Sequence, residues 1–233
     1  MAKIFIDPGH GGNDPGAVRN GLREKDLTLQ ISKIIRDTLV NEFEGATVKL
    51  SREDDRTLSL KQRTDMANAW GANFLLSVHI NAGGGTGYED YTYTKVDSFT
   101  KSCQQKIHEE VMAKVDFRDR GMKQANFHML RESRMPAVLT ECGFIDNSND
   151  ASRLRDSAYI AKIARGHALG IVRCFGLKKK ATSVQTTYHA VRTGDTLSTI
   201  ASRYNISLNE VIRLNPQIKN PNVILPGWKI RIK

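Results

Sequence analysis

No stretch of this sequence approaches the roughly 18 consecutive apolar residues that a membrane-spanning helix requires. Cysteine is scarce: Cys103, Cys142 and Cys174 are all there is. An odd count with no CxxC pair argues against a disulfide framework and an all-cysteine zinc site, and it points to reduced thiols in a reducing compartment. At the N-terminus the apolar run Ile4-Phe5-Ile6 is cut by Asp7-Pro8-Gly9-His10 before a signal-peptide core can develop. The expectation is a protein made in the cytoplasm without an export signal or a membrane anchor. There is no low-complexity tract and no internal repeat. With 39% hydrophobic and 7% aromatic residues the composition is that of a folded globular chain rather than a disordered one.

What is in excess is positive charge, +10 overall across 233 residues. That length suits one or two domains, and the charge is divided unevenly between two parts. Residues 1–177 carry 25 basic and 23 acidic side chains, whereas residues 178–233 carry 10 basic and only Asp195 and Glu210 as acids. Such asymmetry predicts two modules with different tasks. The boundary is placed at 178–187, where Lys178-Lys179-Lys180 opens a polar, aperiodic stretch read as a basic linker. Domains are thus expected at 1–177 and 188–233. A basic tail admits a nucleic-acid partner, but no reading motif for one is present.

In the first part, apolar periodicity alternates between strand and helix. Strands are predicted at 3–6, 47–50, 74–80, 88–94 and 137–140, and helices at 26–43, 60–70, 98–115 and 158–175. The order predicts an α/β domain with a mostly parallel sheet flanked by helices on both faces. The second part predicts a small βααβ unit, with strands at 188–191 and 229–232 and helices at 197–204 and 208–214.

In open α/β sheets, sites gather beyond the carboxyl ends of the strands. His10 follows the first predicted strand, and His79 lies near the end of the third. Glu24 opens the first long helix, and Glu141 follows the strand 137–140. Two histidines and one carboxylate with an open position make a catalytic zinc site, and a second carboxylate then serves proton transfer. Each residue also has a plainer reading. His10 is then a loop residue, His79 a hydrogen-bonded core histidine, Glu24 a first-turn carboxylate complementing the helix dipole, and Glu141 a partnered acid beside a buried strand. Two rival chemistries fit the same segments less well: a phosphate loop at Gly9–Gly12, which lacks the P-loop's Gly-Lys-Ser/Thr, and Cys142 as a nucleophile, with no neighbour that favours its thiolate. His108 reads as a solvated helix position and His167 as a helix-packing residue. His128 is left open as a cleft-edge candidate.

Taken together, Asp7-Pro8-Gly9-His10-Gly11-Gly12, Glu24-Lys25-Asp26, Ser77-Val78-His79-Ile80-Asn81-Ala82 and Met135-Pro136-Ala137-Val138-Leu139-Thr140-Glu141-Cys142-Gly143-Phe144-Ile145 resemble the signature blocks of the zinc-dependent N-acetylmuramoyl-L-alanine amidases of the amidase-3 type. The resemblance implies zinc on His10, Glu24 and His79, with Glu141 as the catalytic glutamate. It implies hydrolysis of the amide between N-acetylmuramic acid and L-alanine in peptidoglycan. Such a reaction also wants a donor for the developing oxyanion, and Asn81 is a candidate. The regulatory helical insertion of some cell-division amidases is absent, which implies an open cleft.

The tail, from Tyr188-His189-Ala190-Val191 through Ile224-Leu225-Pro226-Gly227-Trp228, resembles a LysM domain. That implies a groove for N-acetylglucosamine-containing glycans formed by Gly194, Asp195, Thr196, Leu197, Asn222, Val223 and Ile224; Asp195 or Thr196 also reads as a helix cap. The layout resembles a phage endolysin that reaches the wall after release from the host cytoplasm. The alternatives are an autolysin for mother-cell lysis and a non-catalytic wall-binding protein.

Overall fold

The computed structural model describes residues 1–181 and 186–233, which form two compact units, Met1–Lys180 and Ala181–Lys233. The first unit runs through β1 (Ala2–Pro8), β2 (Val18–Arg19), β3 (Leu22–Arg23), α1 (Glu24–Glu42), β4 (Phe43–Glu44), β5 (Ala46–Leu50), α2 (Leu60–Trp70) and β6 (Phe74–Asn81). It continues through β7 (Tyr88–Thr92), α3 (Ser98–Met112), β8 (Asp119–Gln124), α4 (His128–Arg131), β9 (Ala137–Phe144), α5 (Ser148–Arg155), α6 (Ser157–Phe175) and β10 (Lys178–Lys179).

Six strands form one sheet in the order β5-β1-β6-β9-β7-β8. β5, β1, β6 and β9 run parallel, β7 is antiparallel to β9, and β8 is parallel to β7. The mostly parallel α/β sheet expected from the sequence is present, with its last two strands reversed. The connection from β6 to β7 explains the reversal, because residues 82–87 are too few for the crossover that a parallel return requires.

Strand alternation sorts the core into two layers. Ile4, Ile6, Phe74, Leu76, Val78, Val138 and Cys142 join the larger cluster, which α1, α3 and α6 complete with Ile31, Ile35, Ile107 and Ile163. Phe5, Leu75, Ala137 and Leu139 face the other way, onto Ala67, Met129 and Leu130 of α2 and α4. Strands covered on both faces read as unbroken apolar runs, which is why β6 was legible. Local signals set the helix ends. Ser59 and Gln62 form a reciprocal capping box at the start of α2, and Gly71 closes it in the left-handed conformation.

Several expectations need correction. β9 does not stop at Thr140 but continues to Phe144, so Glu141 lies within the strand. Residues 119–124 form β8 and residues 148–155 form α5, neither of which has a strong apolar period. The segment around His128, left open by the sequence, is a short helix. His108 is not solvated; it is buried between Asp90 at 2.7 Å and Asp119 at 3.1 Å.

Cys103 and Cys174 are joined by a disulfide with a Cα separation of 5.1 Å, where reduced thiols were expected; only Cys142 is free. The bond ties α3 to α6, which pack closely because Gly166 and Gly170 leave room for the backbone of α3 at Val111 and Ile107. A sequence separation of 71 residues carries no pairing signal.

The expected linker also begins later than predicted. Lys178 and Lys179 pair antiparallel with β4, and Lys180 donates to the carbonyls of Glu42 and Val40. Of the remainder of that linker, Thr182–Gln185 lies outside the described residues.

The second unit is the predicted βααβ: β11 (Tyr188–Ala190), α7 (Leu197–Arg203), α8 (Leu208–Leu214) and β12 (Lys229–Arg231), with β11 and β12 antiparallel. Its core is Val191, Leu197, Ile200, Ala201, Val211, Ile230 and Ile232. Among the described residues no helix is long and apolar enough to cross a membrane.

Candidate active site

On the sheet face shared by Leu75 and Leu139, alternation brings polar residues next along the strands: His79 on β6 and Glu141 on β9. The two are direct partners in the parallel register. His10 comes from the loop after β1, and Glu24 is the first residue of α1. His10, Glu24 and His79 offer ligand atoms that all lie within 4.8 Å of one another. The Glu24 carboxylate is the hub. One oxygen faces His79 Nδ1 at 2.9 Å and accepts the Ile80 N–H, while the other lies 3.2 Å from His10 Nε2 and accepts the Ala17 N–H. His10 Nδ1 is in turn held by Asp14 at 2.8 Å.

The loop carrying His10 is fixed from below by three cations. Arg52 donates to the carbonyls of Pro8 and Gly9, Arg63 to those of Pro8 and His10, and Lys25 Nζ to that of Gly12. Arg63 also pairs with buried Asp7 at 2.9 Å, and Asp7 accepts hydroxyls from Ser51 and Ser77. These bonds support a strained backbone, because His10 sits at φ +61 in the left-handed region. Two glycines make room for the ligand rings. A Cβ on Gly9 would strike the His79 ring, and one on Gly16 would meet Glu24 Oε2 and His10 Cδ2, each at 2.6 Å. Asp14, Gly16 and Arg63 were not singled out from the sequence; Arg52 stood out only as part of the Ser51-Arg52 pair that carries the family resemblance. Only the glycine pattern hinted at them, since the contacts join segments dozens of residues apart.

Electrostatics sharpen the division of roles. Burial opposes charging of His10, but the hydrogen bonds and charges of Glu24 and Asp14 prevail and raise its pKa to about 9. Burial likewise opposes the Glu24 carboxylate, yet both histidines hold it well below the usual carboxylate range. Glu141 behaves differently. Burial, with Glu24 and Glu89 nearby, pushes it up to about 7, and its Oε2 is buried without a hydrogen-bond partner among the described residues. A buried, unpartnered carboxylate oxygen is costly and needs an explanation.

The remaining candidates fall elsewhere. Asn81 donates one amide hydrogen to Glu89 at 2.7 Å, and its carbonyl oxygen accepts the Ala82 N–H. His128 lies on α4, 3.4 Å from the Thr64 hydroxyl, and joins no ligand cluster. Cys142 is fully buried and its thiol is pushed far up by burial, which removes it as a nucleophile. His167 is buried against β9, donating to the Ile163 carbonyl and meeting the Thr140 hydroxyl.

In the second unit, four of the seven expected glycan-binding residues also serve the fold. Leu197 is in the core, and the Asp195 carboxylate holds His189 at 2.8 Å and the Arg192 N–H. Thr196 caps α7 in a reciprocal box with Thr199, and Ile224 packs partly against the core. Gly194, Asn222 and Val223 are exposed.

The donors present fit zinc. Two imidazoles and one carboxylate are a known catalytic zinc set, the carboxylate on the far nitrogen of His10 is how a ligand ring is usually oriented, and Glu141 adds an unpartnered acid beside them.

Comparison with known proteins agrees with this geometry. Residues 4–173 match the N-acetylmuramoyl-L-alanine amidase family, and residues 189–233 match the LysM domain. The chain is 58% identical to the N-acetylmuramoyl-L-alanine amidase CwlM of Bacillus licheniformis over 184 residues, covering 79% of this chain and 73% of that protein. It is 57% identical to the sporulation-specific N-acetylmuramoyl-L-alanine amidase of Bacillus subtilis over 183 residues, covering 78% and 72%. An endolysin of Bacillus phage SPP1 is 42% identical, covering 76% and 68%. Among solved structures, an N-acetylmuramoyl-L-alanine amidase of Clostridium difficile 630 superposes with a TM-score of 0.72 at 36% identity, covering 75% of this chain and 97% of that one. The chain therefore belongs to the N-acetylmuramoyl-L-alanine amidase family and carries a C-terminal LysM domain.

Proposed function

We propose that the first unit hydrolyses the amide joining N-acetylmuramic acid to the L-alanine of the peptidoglycan stem peptide, with zinc held by His10, Glu24 and His79 and with Glu141 moving the proton. The observation that carries this reading is Glu141 Oε2, buried without a partner beside the three-donor cluster. When bound, zinc supplies Lewis acidity, which polarises a carbonyl and makes water a better nucleophile at neutral pH. Glu141 Oε2 takes the proton from the attacking water and returns it to the departing alanine nitrogen. A carboxyl raised to about 7 is suited to both directions of transfer near neutral pH. Asp14 keeps His10 turned with Nε2 toward the cluster, and Arg52 and Arg63 hold the loop that presents it.

Two variants of one experiment test the reading. Purified peptidoglycan is digested and analysed for new L-alanine amino groups against new reducing sugar ends. Chelation should abolish release of the amino groups, and added zinc should restore it. Glu141→Gln should lower the rate by roughly 10²–10⁴-fold while zinc content stays at one per chain. New reducing ends without free alanine would mean a glycosidase, and near-normal activity of Glu141→Gln would remove it as the proton carrier.

The LysM unit is proposed to hold N-acetylglucosamine-containing glycan through the exposed loops around Gly194 and Asn222-Val223. The setting is either phage lysis or mother-cell lysis, with the enzyme reaching the wall from a cytoplasm that has lost its barrier. The 57% identity to a sporulation-specific amidase, against 42% to a phage endolysin, favours a sporulation setting. Transcription confined to late sporulation supports that setting, and a holin gene beside this one supports the phage setting.

A further inference from the structure

Next to Glu141 across the sheet lies a second carboxylate that the reaction does not use. Glu89 on β7 is the direct antiparallel partner of Glu141. It is almost wholly buried and takes four donors: the Asn81 amide at 2.7 Å, the Tyr91 hydroxyl at 2.9 Å, Arg120 Nε at 2.7 Å and Lys123 Nζ.

The two cations reach it through an irregularity in β8. Residues three apart on a regular strand point to opposite faces. The register between β7 and β8 shifts between Tyr88 and Asp90, and Gly121 in this stretch has φ +81. The extra residue brings Arg120 and Lys123 onto the face of Glu89; re-aiming a side chain beside an active site is a common role for such bulges. Arg120 also lies over the Phe144 ring at 4.8 Å, and Lys123 over the Tyr91 ring at 5.8 Å. Both are held in place, yet 29% and 36% of their side-chain surfaces remain open to solvent. Two cations on one carboxylate leave one positive charge in excess.

We infer that Arg120 and Lys123, positioned by Glu89, form a subsite for a free carboxylate of the stem peptide on the leaving side of the scissile amide. Neighbouring strands are about 4.8 Å apart, so the excess charge lies about one to two strand spacings, roughly 5–10 Å, from Glu141. At about 3.5 Å per extended residue, that is the reach of the residue after L-alanine. In stem peptides this residue is a D-glutamate linked through its side chain, so its α-carboxylate stands free or is capped as an amide. The excess charge favours the free form.

This inference rests on the amidase reading, and the test separates the two. Wild-type enzyme is given two soluble N-acetylmuramoyl peptides that differ only in whether the D-glutamate α-carboxylate is free or amidated. The free acid should be preferred about tenfold in kcat/KM, chiefly through KM, the effect of one charge-assisted contact. Lys123→Gln and Arg120→Gln should each shrink that ratio toward one, and Lys123→Arg should keep it. The ratio compares two substrates on the same folded protein, so a general loss of activity does not imitate the result. A wild-type ratio near one, or a ratio unchanged in both glutamine variants, overturns the subsite and leaves the amidase intact. Cleavage of neither peptide by the wild type overturns both.

Discussion

His10 is partly buried and His167 fully buried in the same unit, and their surroundings move their proton affinities in opposite directions. Burial disfavours charge on each. At His10 the carboxylates of Glu24 and Asp14 outweigh it; at His167 only the Ile163 carbonyl opposes it, and the pKa falls to about 4 from an ordinary 6.5. The unfolded chain therefore takes up a proton near pH 6.5 that folded His167 refuses until about pH 4. In that window the unfolded state binds more protons, so stability falls as the pH drops and levels off below about 4. At pH 5 the contribution is about 2 kcal/mol. His167→Gln can keep a donor toward Ile163 and an acceptor toward Thr140 without titrating. Urea midpoints of the metal-free protein at pH 7 and pH 5 should fall farther apart for wild type than for His167→Gln; equal separations would mean that this ring is not the acid-sensitive group.

Between elements, the α3–α6 seam joins two cues of different legibility. The spacing of Cys103, Ile107 and Val111 announced a helix, and Gly166 and Gly170 lie four residues apart on α6, where they let the backbones approach. The bond from Cys103 to Cys174 could not be read, because pairing depends on where two helices land in space. Apolar periods gave β6, α2 and α6 nearly to the residue, while β8 and α5 are polar and are held by partners that the local sequence does not name. His10, Glu24, His79 and Glu141 were legible as signature blocks. Arg63 and Asp14 were not, since their partners come from other segments. The disulfide closes a long loop, and loop-closure entropy assigns it about 4 kcal/mol. Denatured protein without reductant should show one reactive thiol, Cys142, and three with reductant. Cys103→Ala should lower the melting temperature of the non-reduced protein to that of the reduced wild type. Three thiols without reductant would mean that the bond is not formed.

At the scale of the whole chain, catalysis and charge belong to different units. The site and both sheet cores lie within residues 1–180, whereas the basic excess lies almost wholly in residues 178–233. Residues 1–180 form a compact unit with hydrophobic cores of their own. A chain cut after Lys180 should therefore fold and cleave a small soluble muropeptide with a kcat/KM within about twofold of the full chain, because His10, Glu24, His79 and Glu141 all lie in the first unit. On intact wall the two should part. Joining a second binding site to the first raises the local concentration of enzyme at its substrate, so the full chain should half-saturate on wall at a concentration about tenfold lower or more. Wall polymers are polyanionic, so part of that advantage is charge attraction, which salt screens over about 10 Å at 0.1 M. Pelleting assays on purified wall should show the advantage of the full chain shrinking between 50 and 500 mM salt but not vanishing, the residue being salt-insensitive glycan contact at the LysM unit. If the advantage disappears entirely in high salt, the tail acts as a basic tether and the glycan groove is idle. If it does not change with salt, the positive charge has no part in targeting.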